Sequence, residues 1–200
     1  QAPGCGPRAD RTVPQVALAV NRFVFLLLWL PSVGWGGAQV YEPLADSVRQ
    51  RLSQIVADRA SPTMYFREPA DGQRWLAEMD RRLEGRIPDR RARLELLRTV
   101  QYEATRAGLD PQLVLGVIEV ESGFRKYAVS RAGARGYMQV MPFWVKLIGR
   151  PSHNLFHLRT NLAYGCAILR HYLDVEKGDY FRALGRYNGS LGKPEYPNLV

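Results

Sequence analysis

The stretch from Pro111 to Pro142 constrains the fold of this chain more than any other, because an apolar helix within it ends on a carboxylate. Asp110 suits the N-cap, and Pro111 suits the first helical position, where its missing N–H is not needed. Residues at i, i+3, i+4 and i+7 share one face of a helix, and here they are Val114, Val117, Ile118 and Glu121. The pattern predicts a helix from Pro111 to Ser122 that carries Glu121 on its core-facing stripe.

A carboxylate on an apolar stripe has a predictable chemistry. Desolvation disfavours the charged form, so the pKa of Glu121 is expected to rise, as a general acid requires at neutral pH. The alternative is a structural Glu121 that caps a turn or pairs with Arg125 or Lys126. The stripe alone leaves both interpretations open.

Short motifs with a family pattern follow in order along the chain. They are ESGF at 121–124 with Ser130, GYMQVMP at 136–142, NLAYG at 161–165 running into LRHYL at 169–173, and RYNG at 186–189. Together they resemble the motifs of the soluble lytic transglycosylases, lysozyme-like enzymes that cleave the glycan strands of peptidoglycan. The resemblance covers about residues 95 to 197, and the order of the motifs makes it specific. It implies a mainly α, lysozyme-like catalytic domain.

The coarse pattern of the whole chain agrees with a helical fold. Helices are predicted for 40–59, 73–84, 89–107, 111–122, 143–148, about 160–177 with Thr160 or Asn161 as cap, and 179–187, followed by coil from Gly189. A small β-hairpin is allowed around Gly133 to Met138. We expect residues 39–90 to form an N-terminal helical segment that packs on or leads into a lysozyme-like transglycosylase domain at 91–200.

Residues 1–38 are interpreted as an upstream extension and a signal peptide. The apolar run from Phe23 to Leu30 follows Arg22 and precedes small residues, with cleavage expected after Ala38. This run is too short to span a bilayer, which needs about 20 residues. A buried helix of the fold is the alternative. The layout predicts a periplasmic or exported protein without a stable membrane anchor.

The acidic residues near Glu121 are few. No Asp or Glu lies between Glu121 and Asp174, and Glu119 faces away from Glu121 on a helix. Hydrolytic glycosidases usually place two carboxylates about 5–9.5 Å apart around the bond. The pattern therefore favours a reaction in which one residue acts first as acid and then as base while the substrate supplies the nucleophile.

The resemblance implies such a reaction. Glu121 would protonate the glycosidic oxygen between N-acetylmuramic acid and N-acetylglucosamine, then accept the C6 hydroxyl proton as a 1,6-anhydro ring closes. One alternative is a goose-type hydrolytic muramidase in which Glu103 or Asp110 approaches in three dimensions. Another is a catalytically inactive peptidoglycan-binding module.

The resemblance also assigns residues to the substrate site. Ser130 would lie near the saccharide and the acid, Gln139 would hydrogen-bond sugar, and Met141 would form an apolar wall of the groove. Tyr187 would orient the acid or the sugar, and Asn188 would fix the local backbone. Ser130 also fits an ordinary turn bond, and Met141 also fits simple core filling.

This sequence departs from the family pattern at a few positions. Tyr137 stands where Leu is usual, Arg186 where Ala is usual, and Arg131 where Pro is common. None of these removes a proposed chemical group. An arginine is a suitable partner for a lactyl or peptide carboxylate, so these residues are candidates for substrate preference.

Composition narrows the remaining classes. The formal net charge is +9, but the basic residues are mixed with acids along helices, and no aromatic–basic cluster typical of nucleic-acid binding stands out. Neither the cysteines, Cys5 and Cys166, nor the three histidines have the spacing of a metal site. We expect no cofactor, no metal and no nucleic acid, with peptidoglycan glycan strands as the partner.

Overall fold

The computed structural model describes residues 39–58, 60 and 62–200. The predicted signal peptide and Cys5 lie outside these residues. The helices of the described chain, in order, are α1 Asp46–Ala57, α2 Pro69–Leu83, α3 Arg90–Arg106, α4 Pro111–Ser122, α5 Phe143–Ile148, α6 Leu158–Val175, α7 Tyr180–Asn188 and α8 Glu195–Leu199. The predicted mainly α fold class is confirmed. In the described residues, β structure is limited to isolated bridges from Arg135 to Val129 and to Val140.

Helix α4 forms where the apolar spacing predicts it. The Asp110 side chain accepts a hydrogen bond of 2.8 Å from the backbone N–H of Gln112, and Pro111 opens the helix. The helix ends at Ser122, and Gly123 follows in the left-handed conformation with a φ of 56°. The predicted stripe, Glu121 included, is buried.

The N-terminal helices share the hydrophobic core with the rest of the described chain. Helix α1 packs against α5 and α6, and α2 packs against α3. Buried Arg93 joins α2 to α3, because its Nε donates to Asp80 at 2.6 Å and its Nη1 donates to the carbonyl of Ile87 at 2.6 Å. These contacts position α3, against which α4 packs.

Helix α6 begins earlier than the sequence indicates. It starts at Leu158 with His157 as N-cap, so the prediction of a cap at Thr160 or Asn161 is wrong. The side chain of Asn161 is instead bonded to neighbouring loops, where it accepts from the backbone N–H of Met138 at 2.8 Å. Asn161, although asparagine often caps helices, therefore uses its side chain for a tertiary contact.

The segment after Gly189 also differs from the prediction. It was expected to be coil, but residues Glu195–Leu199 form the short helix α8, which packs against α7. Tyr196 on this helix is almost fully buried. Within the described residues, no helix combines the length and the apolar character that crossing a membrane requires.

Candidate active site

Glu121 lies in the last turn of α4 with only 5% of its surface exposed. The hydroxyl of Tyr196 donates to its Oε1 at 2.6 Å, and the side chain of Asn188 is also hydrogen-bonded to it. Burial raises the pKa of Glu121 to about 8, and the two hydrogen bonds act in the opposite direction. The carboxyl group is therefore mostly protonated at neutral pH and can donate a proton.

The structural alternative for Glu121 was that it caps a turn or pairs with Arg125 or Lys126. Arg125 instead donates through Nε to the carbonyl of Ser122 at 2.8 Å, and the Lys126 ammonium lies 5.4 Å from the ring centre of Tyr127. The partners of Glu121 are neutral side chains from α7 and α8. A buried acid with neutral partners is the arrangement expected of a general acid.

The other acids considered from sequence are bonded elsewhere. Glu119 accepts from Arg86 at 2.6 Å, and Asp110 caps α4. Glu103 is buried against Arg106 and Arg159. Among the described residues, each of these carboxylates already has its own cation or backbone partner.

The loop that follows α4 is held by two of the predicted site residues. Ser130 Oγ accepts from the backbone N–H of Ala134 at 3.1 Å, which closes the turn in that loop. Gln139 is buried, and its side-chain nitrogen donates to the carbonyls of Ala128 at 3.1 Å and Gly136 at 2.9 Å. Both side chains thus brace the loop, and these bonds leave the Ser130 hydroxyl hydrogen and the Gln139 side-chain carbonyl oxygen unused.

Two of the motifs meet at Asn161. Its amide nitrogen donates to the carbonyls of Arg135 and Leu155, each at 2.8 Å. A Cβ on Gly136 would lie 2.4 Å from this nitrogen, and Gly136 also has a φ of 78°, so glycine is required there. Asn161 therefore fixes the loop that carries Gln139 onto the start of α6.

The α6 glycine of the same motif allows a second close approach. A Cβ on Gly165 would lie 2.3 Å from the sulfur of Met138. Met138 is fully buried, and its carbonyl accepts from the Tyr187 hydroxyl at 2.7 Å. The hydroxyl of Tyr187 is therefore bonded to the loop backbone, whereas Tyr196 supplies the hydroxyl on Glu121.

The remaining predicted residues, Asn188 and Met141, lie at the end of α7 and just before α5. Asn188 is the last residue of α7 and is 5% exposed, and its side chain bonds Glu121 in addition to any role in the backbone. Met141 is partly buried at the start of α5 and packs on the core. Its backbone N–H donates to Gln39 Oε1 at 3.3 Å.

Sequence reasoning did not identify two residues of this site. Tyr196 lies in a five-residue helix, which is too short for helical spacing to give a clear signal. Gln39 is buried, and its Oε1 accepts from the Trp144 indole at 3.0 Å as well as from Met141. No local pattern signals that an amide in an extended segment reaches this site.

The departures from the family pattern fall in different environments. Arg186 is paired with Glu176 and with Glu42, the latter at 3.1 Å, so its guanidinium is engaged within the protein. Tyr137 is buried, whereas Arg131 is exposed. Of the three, Arg131 remains accessible to a substrate.

Two observations on the described residues concern metal ligands and the cysteine thiol. Among residues 39–58, 60 and 62–200, no group of three His, Cys, Asp or Glu is arranged to hold a metal ion. Cys166 is buried in α6, and burial raises the pKa of its thiol well above the usual range. It acts as a small core residue.

The described residues form a mainly helical domain in which the buried carboxyl group of Glu121, at the end of α4, bonds side chains of α7 and α8. Residues 98–195 match the family described as "Transglycosylase SLT domain". This part of the chain belongs to that family.

Curated relatives are similar to parts of this chain. A "Transglycosylase" of Enterobacteria phage PRD1 is 34% identical over 103 residues, which is 52% of this chain and 38% of the relative. The "Membrane-bound lytic murein transglycosylase C" of Mannheimia succiniciproducens is 37% identical over 97 residues, or 44% of this chain and 26% of the relative. The protein of that name from Actinobacillus pleuropneumoniae serotype 5b is 54% identical over 48 residues, or 24% and 13%. The chain thus spans well under half the length of these relatives.

Proposed function

We propose that this protein is a peptidoglycan lytic transglycosylase that cleaves the β-1,4 bond between N-acetylmuramic acid and N-acetylglucosamine and leaves a 1,6-anhydro-N-acetylmuramic end. The observation that carries this proposal is Glu121, a buried carboxyl with a pKa raised to about 8 and with neutral hydrogen-bond partners. The membership of residues 98–195 in the transglycosylase SLT family supports the same assignment.

The first step uses the protonated form of Glu121. Its proton passes to the glycosidic oxygen, the C1–O bond breaks, and the 2-acetamido group of the muramic residue assists from within the substrate. Because the Tyr196 hydroxyl and the Asn188 side chain bond the carboxyl group, they favour the carboxylate that this step leaves behind.

The second step uses the carboxylate. Glu121 accepts the proton of the C6 hydroxyl as that oxygen attacks C1, so the 1,6-anhydro ring closes and Glu121 is protonated again. No water is consumed, which makes the reaction a lyase reaction. A single acid is sufficient, and the acids Glu103, Asp110 and Glu119 have other partners.

The remaining site residues receive proposed roles around the sugar. Ser130 and Gln139 shape the loop beside the acid, with the Gln139 side-chain carbonyl as an acceptor for a sugar hydroxyl. Met141 forms an apolar wall, and Tyr187 fixes the loop that precedes it through the Met138 carbonyl. The substrate places the enzyme in the periplasm or outside the cell.

The experiment is digestion of purified peptidoglycan by the whole chain, followed by mass spectrometry of the released muropeptides. Lytic transglycosylation gives anhydro-muropeptides, which are lighter by one water than the reducing muropeptides that a muramidase releases. The Glu121→Gln variant is the control and should release neither. Reducing products would assign a hydrolytic muramidase, and binding to peptidoglycan without any product would assign an inactive binding module.

A further inference from the structure

The stretch of sequence that follows Glu121 is rich in basic residues and contains no acidic residue before Asp174. Its basic residues are Arg125, Lys126, Arg131, Arg135, Lys146, Arg150, Arg159 and Arg170. Arg159 and Arg170 pair with acids from elsewhere in the sequence. Among the described residues, the other six make no ion pair with a carboxylate.

Two of these cations bracket a pair of aromatic rings, and we call the group of Lys126, Tyr127, Phe156 and Arg135 the cation–aromatic cluster. The Lys126 ammonium lies 5.4 Å from the ring centre of Tyr127, which lies 5.9 Å from the ring centre of Phe156. The Arg135 guanidinium lies 5.9 Å from the Phe156 ring centre. The result is a continuous cation–ring–ring–cation surface.

The cation–aromatic cluster faces solvent. Tyr127 is 71% exposed, which is the highest value among the large hydrophobic side chains of the described residues. Lys126 and Arg135 are exposed, and Phe156 is partly exposed. Exposed rings of this size stack on planar or C–H-rich ligand faces, and exposed cations attract carboxylates.

The cation–aromatic cluster is attached to the site that holds Glu121. Lys126 follows Glu121 by five residues, so their Cα atoms are at most about 18 Å apart even in a fully extended chain. The backbone of Arg135 exchanges two hydrogen bonds with that of Val140, next to Gln139. A chain of a few amino acids attached to a sugar at Glu121 is therefore long enough to reach the cluster.

We infer that the cation–aromatic cluster binds the acidic stem peptide that the muramic residue of the substrate carries. This inference rests on the proposed function. The stem peptide offers carboxylates for Lys126 and Arg135 and aliphatic side chains for Tyr127 and Phe156. The substrate preference follows directly: glycan strands that retain their peptides bind more tightly than strands from which the peptides have been removed.

The test measures binding and cleavage separately. Binding uses the Glu121→Gln chain and two soluble strand preparations, one with stem peptides and one stripped by an amidase. We expect peptide-bearing strands to bind about tenfold more tightly, a preference that weakens as salt rises. Adding Lys126→Gln and Arg135→Gln should bring this preference to about twofold or less.

A matched control separates position from net charge. Arg91→Gln with Arg98→Gln on the exposed face of α3 removes the same charge from residues that make no side-chain ion pair in the described chain. This variant should keep the full preference. Circular dichroism and thermal unfolding of both double variants verify that neither has lost its fold.

The outcomes are distinguishable. Equal binding of the two strand preparations, or an unchanged preference in the Lys126/Arg135 variant, overturns the stem-peptide inference even if anhydro products form. Absence of anhydro products from the unmodified chain overturns the proposed function. The binding preference is measured independently of cleavage, so that result would not decide it. Loss of binding to vesicles of phosphatidylcholine and phosphatidylglycerol in that variant, without any change on strands, would assign the cluster to a membrane surface and reject the inference.

Discussion

Glu103 and Glu121 are both buried in the helical core, at 1% and 5% exposure, yet they have opposite surroundings. Glu103 on α3 is bonded to Arg106 and Arg159, and these two guanidiniums also lie near Asp58. Glu121 on α4 is bonded to the hydroxyl of Tyr196 and the side chain of Asn188, both neutral. Burial is common to the two sites, but the charge of the partners is not.

The difference decides what each carboxyl group can do. Burial raises the pKa of both groups, but at Glu103 the hydrogen bonds and charges of Arg106 and Arg159 oppose this shift and favour the ionised form. At Glu121 neutral donors oppose burial less strongly, and the pKa stays at about 8. Glu103 therefore bonds arginines of α3 and α6, whereas Glu121 has the raised pKa that a proton donor near neutral pH requires.

The largest expected effect comes from replacing the acid itself. Glu121→Gln keeps the shape and can still accept from Tyr196, but it cannot donate a proton to the glycosidic oxygen. We expect the release of anhydro-muropeptides to fall by about 10³-fold or more. Activity of the unmodified chain should also decline as pH rises through about 8, where Glu121 loses its proton.

The same substitution should change the pH dependence of stability. The folded chain keeps the Glu121 proton up to a pH of about 8, whereas the unfolded chain releases it from its ordinary value of 4.5. The free energy of unfolding of the unmodified chain therefore falls between these two pH values, by about 3–5 kcal/mol from this group. Denaturant titrations should find that Glu121→Gln has lost this decline. If the free energy of unfolding of the two chains depended on pH in the same way, Glu121 would have to be ionised in the folded protein.

Replacing the other glutamate should affect folding instead of chemistry. Glu103→Gln removes the charge that faces Arg106 and Arg159 and leaves them only Asp58. We expect the free energy of unfolding to fall by about 2 kcal/mol, less than for a fully buried pair because both arginines are partly exposed. Denaturant titration measures this loss.

The activity of the Glu103→Gln variant completes the comparison. At temperatures below its unfolding transition, this variant should cleave peptidoglycan at a rate within about twofold of the unmodified chain. The decline of activity at high pH, which we call the alkaline limb, should also be the same, since Glu103 does not bond Glu121. A lost or displaced alkaline limb would instead make Glu103 part of the acid–base centre, as the hydrolytic alternative requires.

A neutral donor on Glu121 should have a smaller effect. Tyr196→Phe removes the hydroxyl whose hydrogen bond lowers the pKa of Glu121, so this pKa should rise and the alkaline limb should move to higher pH. Because the acid is then weaker and less well fixed, we expect kcat near pH 7 to fall by about 3- to 10-fold. Rates measured across the pH range test this, and Tyr180→Phe, at an exposed position on α7, is the control. An alkaline limb that stays in place would argue against Tyr196 as a partner that sets the pKa.

The sequence predicts those parts of the site that depend on residues close to one another along the chain, and not those that depend on distant residues. Helix α4 and the burial of Glu121 were predictable because capping and helical periodicity operate within a few residues. Asn188 was named from its motif, but its bond to Glu121 joins positions that only the tertiary fold brings together. Tyr196 was missed because a helix as short as α8 has a weak periodic signal. The role expected for Tyr187 followed a motif, whereas its hydroxyl is bonded to Met138.

Gln39 shows most clearly how a long-range contact escapes prediction from the sequence. It accepts a hydrogen bond from the backbone N–H of Met141, which is 102 residues away in sequence. Its Oε1 also accepts from the Trp144 indole at 3.0 Å, and Tyr41 packs edge-on against Phe143 at 5.7 Å. The extended segment before α1 is therefore fixed to the start of α5, where Met141 forms the proposed apolar wall. Gln39 and Tyr41, at one end of this connection, lie outside the residues that match the transglycosylase SLT family.

The smallest expected effect follows from this connection. Gln39→Met keeps the volume but removes the acceptor for the N–H groups of Met141 and Trp144, so the free energy of unfolding should fall by about 1–2 kcal/mol. Trp144 fluorescence should shift because its indole loses a partner, while KM should rise more than kcat falls and the alkaline limb should not move. Gln39→Glu, which retains an acceptor, should restore the fluorescence in part. A displaced alkaline limb would contradict this prediction, because it would mean that the segment acts on the proton of Glu121, whose partners lie on α7 and α8.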